Sequence, residues 1–137
     1  MAFVRKDVKG KDKDFFNSFG IIYENNLVEA DRFTMWTVDR ERKIYFIYLG
    51  GGALEHPNAY ALIWKNRKVI ITVEVRPSKK SIGLLFEKII ATKELENFNE
   101  ELEDIIKEIF CFTFKGREVE FINFSKIKFI EEGNLHG

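Results

Sequence analysis

The run Ile44-Tyr-Phe-Ile-Tyr-Leu49 places large apolar side chains at every position of an extended segment. Successive residues of a strand point to opposite faces of a sheet, so a run that is apolar throughout has no face to give to water. It predicts a central strand covered on both sides. Any fold for this chain must therefore supply two apolar layers around that strand.

The flanking sequence supplies the rest of a sheet. Short β-favouring runs separated by turn residues predict strands near residues 19–23, 31–39, 43–50, 59–64 and 68–76, connected at Asn25-Asn26, Arg40-Glu41 and Asn66-Arg67. Connections this short force antiparallel neighbours. In the fifth run Val69, Ile71, Val73 and Val75 share one face, while Thr72, Glu74 and Arg76 share the other with Ile70. One side is expected to be buried and the other partly wet. Residues 81–91 fit either a helix or a strand; the preceding polar turn Pro77-Ser-Lys-Lys-Ser81 and the cost of Gly83 near a helix start favour the strand.

Asn97 stands three residues before Glu100, a pattern like a capping box, and predicts a helix from Phe98 to about Phe114. Leu102, Ile105, Ile106 and Ile109 recur at helical spacing and give it one apolar stripe, and Gly116 is a plausible stop. Beyond it, Val119-Glu-Phe121 and Lys126-Ile-Lys-Phe129 alternate and suggest closing strands. The expected fold is α+β: a curved antiparallel sheet of about six to eight strands, with one long helix from the C-terminal half packed across it. Residues 1–14 carry five basic and three acidic side chains and read as a loose arm, with order beginning near Phe15 in a single domain over 15–137.

Composition restricts the function classes. Lys plus Arg and Asp plus Glu both total 22, and a chain without basic excess is a poor candidate for binding nucleic acid, where phosphate contacts supply much of the affinity. The longest apolar run is far short of the roughly 20 residues that cross a bilayer. The charged opening segment lacks an apolar signal-peptide core, so a cytoplasmic protein is expected. Cys111 is the only cysteine, which excludes an intrachain disulfide and a thiolate zinc cluster. His56 and His136 have no ligand spacing, and no serine lies in a nucleophile turn, so no metal, cofactor or catalytic residue is assigned.

Three features remain as candidate sites. Gly50-Gly-Gly52-Ala-Leu-Glu-His-Pro-Asn58 leaves the central strand and reads first as a bulge or wide turn. Trp36, Tyr48, Tyr60 and Trp64 are candidates to line a small-ligand pocket between sheet and helix, with Glu55 and His56 at its mouth. Residues 94–108 hold seven carboxylates, Glu94, Glu96, Glu100, Glu101, Glu103, Asp104 and Glu108, against Lys107 alone, a local charge of −6. Such a ridge suits a partner with a basic surface, because aligned carboxylates speed encounter and reject acidic competitors. Glu100, Glu101, Asp104 and Glu108 are the expected contacts.

The order Arg42-Lys-Ile-Tyr-Phe-Ile-Tyr-Leu-Gly-Gly-Gly52, then Tyr60-Ala-Leu-Ile-Trp64, then Phe86-Glu-Lys-Ile-Ile90 leading into the acidic helix, resembles small bacterial proteins of the toxin-neutralising immunity type. The resemblance implies a stoichiometric cytoplasmic inhibitor of a toxin domain and supplies no contact residues of its own. Two further expectations stay open beside it: a small-ligand carrier or enzyme using the aromatic pocket, and a homodimer formed by edge-strand pairing.

Overall fold

The computed structural model describes residues 3–51, 57–92, 98–124 and 127–130. Its ten strands are β1 (Val4–Asp7), β2 (Ile22–Tyr23), β3 (Asn26–Leu27), β4 (Met35–Asp39), β5 (Ile44–Gly50), β6 (Asn58–Trp64), β7 (Arg67–Pro77), β8 (Ser81–Thr92), β9 (Glu118–Ile122) and β10 (Ile127–Ile130). Helix α1 spans Gly10–Asn17 and α2 spans Phe98–Thr113. Eight strands form one sheet in the order β1-β4-β5-β6-β7-β8-β10, with β9 also paired to β8, while β2 and β3 form a separate hairpin. The class is α+β with a mostly antiparallel sheet, as the residue pattern predicts.

The strand apolar on both faces becomes β5. Ile44 and Phe46 enter a core shared with α2, and Tyr45 and Ile47 enter a second core on the opposite face, shared with Phe16 of α1. The same parity divides β7, where Val69, Ile71 and Val73 face α2 and Ile70 faces α1. Phe110 anchors α2 to the sheet, with its ring edge-on to Phe46, Tyr60 and Phe86 at centroid distances of 5.4, 5.0 and 5.6 Å. Residues 81–92 form a strand, as the polar turn before them suggests.

Two-residue turns set the hairpin registers. Glu24-Asn25 joins β2 to β3 and Lys65-Asn66 joins β6 to β7, with φ of 50° and 64°, and 50° and 57°. Both residues of each turn are left-handed, as in the type I′ turn whose twist matches the flanking strands. The turns therefore sit one residue earlier than the sequence suggests. The pairing of β5 with β6 shifts register between Tyr48 and Gly50, an irregularity of the kind a bulge makes, while residues 52–56 of the glycine-rich stretch lie outside the described residues.

Four expectations are corrected. Residues 1–14 do not wait until Phe15 to become ordered, because β1 pairs with β4 and α1 starts at Gly10. Their few apolar groups suffice: Phe3 is buried in the α2-side core and Val8 packs on the α1-side core. Among the described residues the short helix α1 therefore accompanies the expected long helix of the C-terminal half. The strand expected over 31–39 begins only at Met35, since Ala30–Arg32 forms a single 3-10 turn, and only Ile22 and Tyr23 of 19–23 are paired. Finally, β9 and β10 run parallel to β8, at residues 81–85 and 89–92, so the sheet is mixed. A helical crossover after β8 returns the chain to the end where β8 began, which leaves parallel pairing as the outcome.

Candidate functional site

Helix α2 presents opposite faces of contrasting chemistry. Leu102, Ile106, Ile109 and Phe110 are fully buried against the sheet. Glu100, Asp104, Lys107 and Cys111, spaced four, three and four residues apart, are exposed, so they lie along the outer face. Cys111 is exposed.

The acidic ridge is only partly open to a partner. Glu108 accepts hydrogen bonds from both Nη atoms of Arg42, at 3.1 and 2.9 Å. Glu101 pairs with Lys65 in the β6–β7 turn. These two expected contacts are therefore engaged within the molecule, whereas Glu100 and Asp104 are exposed and make no ion pair with the described residues. Lys107, the lone cation of the ridge, sits 5.4 Å above the Phe124 ring. Glu94 and Glu96, with Asn97, lie outside the described residues.

Arg42 and Lys65 are the residues that sequence reasoning missed. Their basic clusters, Arg40-Glu41-Arg42-Lys43 and Lys65-Asn66-Arg67-Lys68, mark hairpin turns at the ends of interior strands of the sheet. Only the docking of α2 beside those turns brings them to the carboxylates. Arg42 also donates from Nε to Asp39 at 2.7 Å, and its backbone N–H bonds the same carboxylate at 3.2 Å. Burial alone would raise the Asp39 carboxyl, but the Arg42 hydrogen bonds and charge outweigh it and hold the group below its ordinary range.

The aromatic pocket does not assemble. Trp36 packs against Phe16 and Tyr45 on the α1 side of the sheet. Tyr60 and Trp64 belong to the core on the α2 side, and Tyr48 is 48% exposed, with its hydroxyl 3.0 Å from Asn58 Oδ1. Residues on opposite faces of one sheet cannot line one cavity. Glu55 and His56, expected at its mouth, lie outside the described residues.

Clefts exist elsewhere among the described residues, and two of them bear on function. One, of about 390 Å³, lies beside α2 and is lined by Arg42, Trp64, Lys65, Glu101, Asp104 and Ile105. The other, of about 460 Å³, lies on the far side of the sheet, where Tyr23, Val28, Arg32 and Phe33 face Leu49, Gly50, Gly51 and Pro57. Among the described residues no group of three or more His, Cys, Asp or Glu is placed to hold a metal ion, and no helix is long and apolar enough to cross a membrane. No protein-family model matches the chain, and no curated protein or solved structure shows significant similarity to it.

Proposed function

We propose that this chain is a non-catalytic protein-binding domain that meets a basic surface on its partner through the outer face of α2. The observation that carries the reading is the exposure of Glu100 and Asp104, one turn apart on a helix whose opposite face is locked into the core. A helix backbone already fixed by its buried face loses little further freedom on docking, so the ordering cost is confined to the side chains that make contact. Their common sign steers a cationic partner toward the face and repels nucleic acid. In its finer form the reading is a cytoplasmic immunity-type inhibitor that occludes a basic site on a toxin domain.

The test is capture of the partner by the wild-type chain beside a Glu100→Lys, Asp104→Lys double variant. Glu118→Lys, a reversal on an exposed residue of β9, serves as control. Capture lost in the double variant and kept in the control supports the reading. Equal capture by all three removes the face from consideration.

A second reading draws on the 460 Å³ cleft beside Gly50 and Gly51, which has the size of a small-molecule site and carries Arg32 at its wall. A ligand bound there at about 100 times its dissociation constant would add roughly 2.7 kcal/mol of stability. A thermal-shift screen across metabolite classes that yields no stabilising compound rejects it.

A further inference from the structure

We infer that the groove beside Trp64 is a cradle for a lysine side chain of the basic partner, and that in the unbound protein the chain's own Lys65 occupies it. The inference rests on the docking role proposed for α2 and specifies where on that face the contact is made. Buried Trp64 and Ile105 line the groove, and Glu101 and Asp104 stand one turn apart on α2 beside them. Lys65 Nζ lies 5.0 Å from the centroid of the Trp64 ring and pairs at the same time with Glu101. An aromatic face combined with a carboxylate is the surrounding that an ammonium group favours, because the ring quadrupole and the anion attract it together. The position of Lys65 is the observation from which the cradle is inferred.

The resident contact is built to exchange. Lys65 and Glu101 are 50% and 45% exposed, and an exposed pair of long side chains contributes little in water. Asp104 lines the same groove without an ion pair to the described residues, so an incoming ammonium meets two carboxylates where Lys65 engages one. Arg42, the other cation in the wall, is held by Asp39 and Glu108 and does not compete. The charges lining the groove are Arg42 and Lys65 against Glu101 and Asp104, and Arg42 is already paired with Asp39 and Glu108, so withdrawal of Lys65 leaves two carboxylates facing the incoming group, which favours a basic polypeptide over a phosphate-bearing ligand.

The experiment titrates the ¹⁵N-labelled chain with tetralysine, with tetraglutamate as control, and follows the Trp64 indole and α2 amide resonances. Lys65→Asn removes the ammonium while keeping a residue that tolerates the left-handed turn position. The account expects shifts centred on Trp64, affinity about two- to fivefold tighter in Lys65→Asn, several-fold weaker in Asp104→Asn, and unchanged in Glu103→Gln. Shifts confined to Glu100 and Glu103 with Trp64 silent, or a Lys65→Asn variant that binds no tighter, overturn the cradle while leaving the acidic-face reading to its own capture test. Absence of tetralysine binding with self-association in sedimentation assigns the groove to a second copy and likewise overturns the proposal.

Discussion

Arg42 and Glu108, 66 residues apart in the chain, meet through two parallel hydrogen bonds and fasten the turn between β4 and β5 to the middle of α2. The same guanidinium neutralises Asp39, whose side chain is only 3% exposed, and lies 5.1 Å from the Phe3 ring. One side chain therefore joins the β4–β5 turn, the N-terminal segment and the helix that carries the proposed docking face.

Removing the hub and removing its outer partner should differ sharply. Arg42→Met leaves the Asp39 carboxylate buried without its cation and is expected to cost about 2 to 4 kcal/mol, below the full range for a buried pair because Arg42 is partly exposed. Glu108→Gln, on the exposed side, should cost about 0 to 1 kcal/mol. Urea denaturation of the two variants checks the ordering.

Acid should weaken the fold through Asp39. Its carboxyl titrates lower when folded than when unfolded, so its contribution is complete above the unfolded value near 3.8 and disappears as pH falls through the folded value. The stability lost between about pH 6 and about pH 3 is expected to be smaller in Asp39→Asn than in the wild type, measured by denaturation at both pH values.

Alkali should act through Tyr45. Burial, then the hydrogen bond its hydroxyl donates to Asp12 at 2.9 Å and the Asp12 charge, push the phenol up to about 12, with Arg40 opposing. The neutral phenol is favoured in the folded state, so this contribution is present below the unfolded value of 10.0 and is lost as pH rises toward about 12. Tyr45→Phe should flatten that alkaline decline. Ultraviolet titration should show Tyr60, also raised to about 12 chiefly by burial, ionising in the same late range.

The exit from β5 depends on a glycine for a steric reason. A Cβ on Gly51 would lie 2.3 Å from the Pro57 carbonyl oxygen, and the residue has φ of +106°. Gly50 has the same φ with open space around it. Gly51→Ala should therefore be the more damaging, by about 1 to 3 kcal/mol relative to Gly50→Ala, as read from thermal unfolding.

Strands β5 to β7 and α2 were legible from their own residues, as an all-apolar run, β-favouring alternation or a helical stripe, whereas β8 fitted two periods and was decided by the polar turn before it and by Gly83. The edges were not. The charges of residues 1–14 hide the fact that a few apolar side chains, Phe3 and Val8 among them, complete two cores. The parallel pairing of β9 and β10 depends on where α2 delivers the chain, which alternation of Val119 and Phe121 cannot encode. At the site, the carboxylates of α2 were visible as a charge run, but their neutralisation by Arg42 and Lys65 depends on tertiary docking. The failure of the aromatic pocket has a similar origin: which face Trp36 shares with Tyr60 is decided by register across strands, and the register separates them.

The central claim, that the open carboxylates of α2 dock a cationic protein, is tested most directly by the dissociation constant of the captured partner at low and high salt. Wild type and the Glu100→Lys, Asp104→Lys variant are compared under both conditions. The account predicts at least about tenfold weaker binding by the variant at low salt, with the gap closing as salt screens the charges. An identical constant for both proteins at low salt contradicts it.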